Sequence, residues 1–120
     1  MPQILVIDDD EEVRSLIAEF LTREGHEVHE ASDGVKGTQI FDQNEIDIVI
    51  TDIIMPIQDG VETIRALKNL DPNVRAIAIT GFRGSYNRLP AAEFVGAKRT
   101  LVKPFTQEEL LAAVASVLET

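Results

Sequence analysis

Two hydrophobic periods alternate along the chain. Ile4, Leu5, Val6 and Ile7 form a short unbroken apolar run, and then Val13, Leu16, Ile17, Phe20 and Leu21 fall at i, i+3, i+4, i+7 and i+8. The first pattern predicts a strand covered on both faces, and the second an amphipathic helix that Gly25 closes. Residues 27–31 read as a second strand, and Ser32, Asp33 and Gly34 open a helix to about Phe41 whose two glycines weaken its propensity. A β-branched run from Ile46 ends at Asp52 as the third strand. Asp59 with Glu62 three positions on signals a helix to about Leu70, followed by a turn at Asp71, Pro72 and Asn73. Residues 74–80 form the fourth strand. Residues 81–90 carry two glycines and a proline where the alternation calls for a helix, so a poor one is placed around 89–95. Residues 100–102 form the last strand, and Thr106 with Glu109 caps a helix striped by Leu110, Ala113, Val114, Val117 and Leu118. Strand-helix units repeated in this order predict an α/β fold with a doubly wound parallel sheet and helices on both faces.

Length and composition narrow the setting. At 120 residues with 44% hydrophobic content the chain suits a single domain, residues 1–120, with a real core. The 21 acidic and 11 basic residues give a net charge of −10, which opposes direct binding of nucleic acid or an anionic membrane surface. Without cysteine there is no thiolate metal site or thiol nucleophile. The start lacks the pattern of a secretory signal, no apolar run approaches membrane-spanning length, and a cytoplasmic protein is expected.

Polar groups collect where the predicted strands end. Asp8, Asp9 and Asp10 follow the first strand, Asp52 ends the third, Thr80 the fourth, and Lys103 follows the last. In an open parallel sheet these positions share one edge, the edge where ligands bind. Asp10, followed by Glu11 and Glu12, suits a helix N-cap and acidic first turn. Asp8 and Asp9 beside Asp52 are another matter, because two like charges about 4 Å apart cost on the order of 4 kcal/mol at an effective dielectric near 20. A divalent cation relieves that repulsion, and three carboxylates with a backbone carbonyl and water suit Mg²⁺. A carboxylate is also a competent nucleophile toward a phosphoryl group, a transfer that needs a metal, a cation such as Lys103 and a hydroxyl such as Thr80. Each has a plainer reading as a strand end or solvated edge; their joint arrival favours chemistry. His26 and His29 are lone imidazoles without a ligand cluster, and Gly34 and Gly37 lack phosphate-loop spacing.

The ordered set of Asp8 and Asp9, Asp52 followed by Met55 and Pro56, Asp59 and Gly60, Thr80 and Gly81, and Lys103, Pro104 and Phe105 resembles the receiver domain of two-component response regulators. The resemblance runs from Ile4 to Leu118. It implies a flavodoxin-like sheet of five strands in the order 2-1-3-4-5. It implies that Asp52 accepts phosphate from a sensor histidine kinase or histidine phosphotransfer protein and that the domain then switches a downstream protein partner. Asp9, Asp52 and the Ile54 carbonyl would bind Mg²⁺ (or Mn²⁺) directly, with Asp8 acting through water. Lys103 would pair with phosphoryl oxygens, Thr80 would hydrogen-bond them and move on activation, and the peptide before Pro104 would be cis. Two features depart from the family. Thr100 stands where it usually has an aromatic switch residue, and residues 81–90 hold more helix breakers. Ile54 and Phe82, two past Asp52 and Thr80, would flank the path of an attacking water, so Phe82 joins Thr80 and Thr100 as a switch position. Two rival readings are a metal-dependent phosphohydrolase with an aspartyl nucleophile, suggested by Asp8 and Asp10 two apart, and a binding-only module of the same fold.

Overall fold

The computed structural model describes residues 2–53, 59–81 and 96–119, without the side chains of Thr80 and Gly81. The elements run β1 (Gln3–Ile7), α1 (Glu11–Arg23), β2 (Glu27–Ala31), α2 (Gly34–Gln43), β3 (Ile48–Asp52), α3 (Gly60–Leu70), β4 (Ala76–Gly81), β5 (Arg99–Lys103) and α4 (Gln107–Leu118). All strands pair in parallel in one five-stranded sheet ordered β2-β1-β3-β4-β5. The doubly wound fold and its strand order are those expected from the sequence. The helix placed at 89–95 lies outside the described residues, as do Ile54, Phe82 and most of the breaker-rich stretch.

The two central strands explain the unbroken apolar runs. Ile4, Leu5, Val6 and Ile7 of β1 and Ile48, Val49 and Ile50 of β3 are fully buried, because alternate side chains point to opposite covered faces. Ile4, Val6, Ile48, Ile50, Ile77 and Ile79 pack with Ile17 and Leu21 of α1 and Leu110, Val114 and Val117 of α4. On the other face Leu5, Ile7 and Val49 meet Phe41 of α2 and Leu67 of α3. Leu16 departs from the predicted stripe of α1 and stays 49% exposed. Ile17 and Leu21 fill the space against the sheet, with Val13 and Phe20 packed beside them.

The helix starts are fixed as their side chains predict. Asp10 accepts from the amides of Glu12 and Val13, Asp33 from Lys36 and Asp59 from Glu62, while Thr106 and Glu109 form a reciprocal capping box. Asp10, Asp33, Asp59 and Thr106 all follow a strand in the chain, so every cap faces the carboxyl edge of the sheet. The positive ends of the helix dipoles gather there with them.

Candidate functional site

Three strand ends bring the charged groups of the site together. β1 delivers Asp8, whose amide donates to the Ala31 carbonyl at 3.1 Å and whose Oδ1 accepts the Asp10 amide at 2.9 Å. That carboxylate is 1% exposed, whereas Asp9, next in the chain, lies open to solvent. β3 delivers Asp52, 7% exposed at the end of a wholly buried strand. Its backbone is held closely: the Thr51 hydroxyl donates to the Asp52 carbonyl at 2.9 Å, and the Ile53 amide donates to Ile79 on β4 at 2.9 Å. From β5, Lys103 Nζ reaches Asp52 Oδ2 at 3.0 Å and Asp8 Oδ2 at 3.2 Å, bridging both buried acids.

Charge is unevenly balanced in this arrangement. Burial, then the neighbouring Asp8 charge, raises the Asp52 pKa above its ordinary 3.8, and the hydrogen bond and charge of Lys103 only partly offset them. For Lys103, burial works toward a lower pKa, but its bonds and attraction to Asp52 and Asp8 outweigh it and leave the ammonium above 10.5. One ammonium therefore does not neutralise two buried carboxylates with Asp9 beside them. Oxygen atoms from Asp8, Asp9 and Asp52 lie within 4.8 Å of one another, and among the described residues theirs is the grouping with metal-ligand geometry. All-oxygen donors, excess negative charge and one ligand open to water fit a hard divalent cation.

The remaining expected residues fall around this group in different ways. Thr80 lies in β4 opposite Val102, one residue past the Asp52 partner Ile79, so its backbone runs between the strands carrying Asp52 and Lys103. Thr100 is half-buried in β5 and pairs with Ala78, away from the strand end. The Lys103–Pro104 peptide is cis. The Asp10 side chain is engaged as the α1 cap, accepting from the Glu12 and Val13 amides, while its own amide donates to Asp8 Oδ1. His26 and His29 take no part in the acid group.

Arg14 and Thr51 were not picked out from the sequence, and Gly60 stood there only as part of the family pattern. Arg14 Nη1 donates to the Asp8 carbonyl at 2.8 Å. Thr51 supports Asp52 through the carbonyl described above. Gly60 brings the start of α3 so close to β3 that a Cβ there would collide with the Asp52 carbonyl and come within 2.6 Å of Ile53 Cα. Of the two unpicked residues, Arg14 alone left a trace of its own in the sequence, as a cation early in a helix, where the dipole disfavours it.

A buried acid pair, a bridging lysine and an exposed third acid lie at the carboxyl edge of a flavodoxin-like 2-1-3-4-5 sheet. Comparison with known proteins gives it a family: residues 4–115 match the response regulator receiver domain. The chain belongs to that family. It is 33% identical to the chemotaxis protein CheY of Halobacterium salinarum, over 97% of this chain and 96% of that one. It is 36% identical to the transcriptional regulatory protein PrrA of Mycobacterium tuberculosis, where it covers 98% of its own length but 50% of the relative. A receiver domain structure from Clostridium thermocellum superimposes with a TM-score of 0.92 at 35% identity, covering 99% of this chain and 95% of that one. Receiver domains of response regulators serve two-component signalling; histidine kinases phosphorylate them, and an aspartate cluster binds Mg²⁺. No helix among the described residues is long and apolar enough to cross a membrane.

Proposed function

We propose that residues 1–120 act as one receiver unit in which Asp52 accepts a phosphoryl group from a phosphohistidine. The observation that carries this reading is the Lys103 bridge, 3.0 Å to Asp52 and 3.2 Å to Asp8 at the carboxyl edge of the sheet. An Asp52 carboxylate oxygen forms the new bond to phosphorus as the N–P bond of the donor breaks, and the donor imidazole leaves. Asp8, Asp9 and Asp52, with the Ile54 carbonyl, would hold Mg²⁺ (or Mn²⁺), Asp8 acting through water. The ion would supply charge neutralisation for the acids and the incoming phosphoryl oxygens. Lys103 keeps its cation beside the reacting oxygen and follows the new negative charge. The Thr80 hydroxyl is proposed to bond the phosphoryl group and to shift as it does so, and Phe82 lies two residues beyond it. With threonine at position 100, no ring is available there to report on Thr80, so the switch is assigned to residues 81–95. The donor is a sensor histidine kinase or phosphotransfer protein, and the output is a protein partner rather than nucleic acid.

Incubation with acetyl phosphate and Mg²⁺, followed by intact mass measurement, tests the assignment. One added phosphate on wild type and none on Asp52→Asn is expected; stoichiometric labelling of the variant would refute it.

A further inference from the structure

Arg14 occupies a place that elementary electrostatics argues against. It is the fourth residue of α1, in the positive half of the helix dipole, where a cation is disfavoured. Its side chain is nevertheless only 15% exposed. Two contacts hold it: Nη1 donates to the Asp8 carbonyl at 2.8 Å, and Nε pairs with Glu30 Oε1 near the end of β2 at 3.2 Å. The guanidinium thus ties α1, β2 and the β1–α1 turn together.

The carbonyl it grips is informative. That oxygen belongs to the peptide joining Asp8 to Asp9, two of the three acids in the group. Asp8 has its own anchors, through Ala31, Asp10 and Lys103. No hydrogen bond or ion pair holds the Asp9 side chain among the described residues, so its position depends on the backbone that carries it. We infer that Arg14, oriented by Glu30, is a positioning residue: by fixing the peptide between Asp8 and Asp9 it presets the Asp9 carboxylate for the divalent cation. The inference rests on the proposed metal site and adds to it a residue outside the acid, hydroxyl and lysine set. Arginine suits the task because one planar fork reaches a carbonyl and a carboxylate together, whereas a lysine ammonium is a single point donor.

Calorimetric Mg²⁺ titration and amide hydrogen exchange of the metal-free protein test this on the whole chain. Arg14→Ala should weaken Mg²⁺ binding about tenfold, as loss of a supporting hydrogen bond typically does. Arg14→Lys should recover only part of the affinity despite keeping the charge, and Glu30→Gln should lose less than either. Exchange at the Asp9 and Asp10 amides should quicken in the arginine variants. Arg23→Ala, which removes the exposed Arg23–Glu19 pair at the far end of the same helix, should leave the Mg²⁺ constant unchanged. A purely structural role would lower melting temperatures without this selective loss. Should Arg14→Ala fail to fold, Arg14→Lys decides. Wild-type affinity in the folded Arg14 variants would overturn this inference alone; wild-type protein that binds no Mg²⁺ would overturn the proposed metal site, and this inference with it.

Discussion

At the scale of single residues, Asp52 is governed by burial beside a like charge. Its raised pKa means that folding favours the protonated acid. The stability so contributed is fully present below 3.8 and is lost as pH rises through the raised folded value. Lys103 behaves in the same sense far higher, its contribution being present below 10.5 and lost only above that. Asp52→Asn should therefore raise the melting temperature of the metal-free protein at neutral pH by about 2–5 °C, the span expected of a sub-kcal/mol to 1 kcal/mol gain in a domain of this size. The advantage should vanish below pH 3.8, which a melting series against pH would reveal. Lys103→Ala leaves both buried acids without their cation and should cost about 1–2 kcal/mol at neutral pH, less than a fully buried pair because the lysine is partly exposed. Saturating Mg²⁺ should restore much of that loss in a urea titration, since any ligand of the native state adds RT ln(1 + [L]/Kd) to its stability. Failure of Mg²⁺ to restore it would count against the metal site.

At the scale of elements, two glycines decide how closely helices approach the sheet. A Cβ on Gly37 would meet chiefly the flexible end of Ile7, with Cγ1 at 2.8 Å. On Gly60 it would meet the backbone of Asp52 and Ile53, which cannot step aside without moving the acid. Gly37→Ala should cost less than about 1.5 kcal/mol, because the gain in helix propensity of about 1 kcal/mol offsets the repacking. Gly60→Ala should cost about 2–3 kcal/mol. Urea midpoints rank the two, and equal losses would contradict this reading of the contacts. The same glycines mark what the sequence could and could not tell. Gly37 reads from propensity as a flaw in α2, yet it permits close packing on Ile7 and Ala31. Caps and strand ends were legible because they depend on local side-chain chemistry. The exposure of Leu16 was not, since periodicity gives a face but not its width. Arg14, Thr51 and Gly60 act on backbone atoms, and a linear pattern records side-chain types but not which carbonyl a side chain or a closely approaching helix will meet.

At the scale of the molecule, a parallel sheet sends every strand end to one side, and caps, acids and lysine gather there. That convergence made the acids and the lysine candidates by their places at strand ends, and the order 2-1-3-4-5 that the family resemblance implied puts β1 and β3 side by side. The net charge of −10 and the buried acid pair have a common consequence: added negative charge is tolerated at this edge only with cations present. Phosphorylation is therefore expected to require Mg²⁺, to change residues 81–95 most, and to leave the central strands unaltered. The most direct test of the central claim is the intact mass of wild type and Asp52→Asn after acetyl phosphate treatment, with and without Mg²⁺. A single Mg²⁺-dependent phosphate on wild type, absent from the variant, is predicted; a phosphate that appears without Mg²⁺ or persists in Asp52→Asn would contradict it.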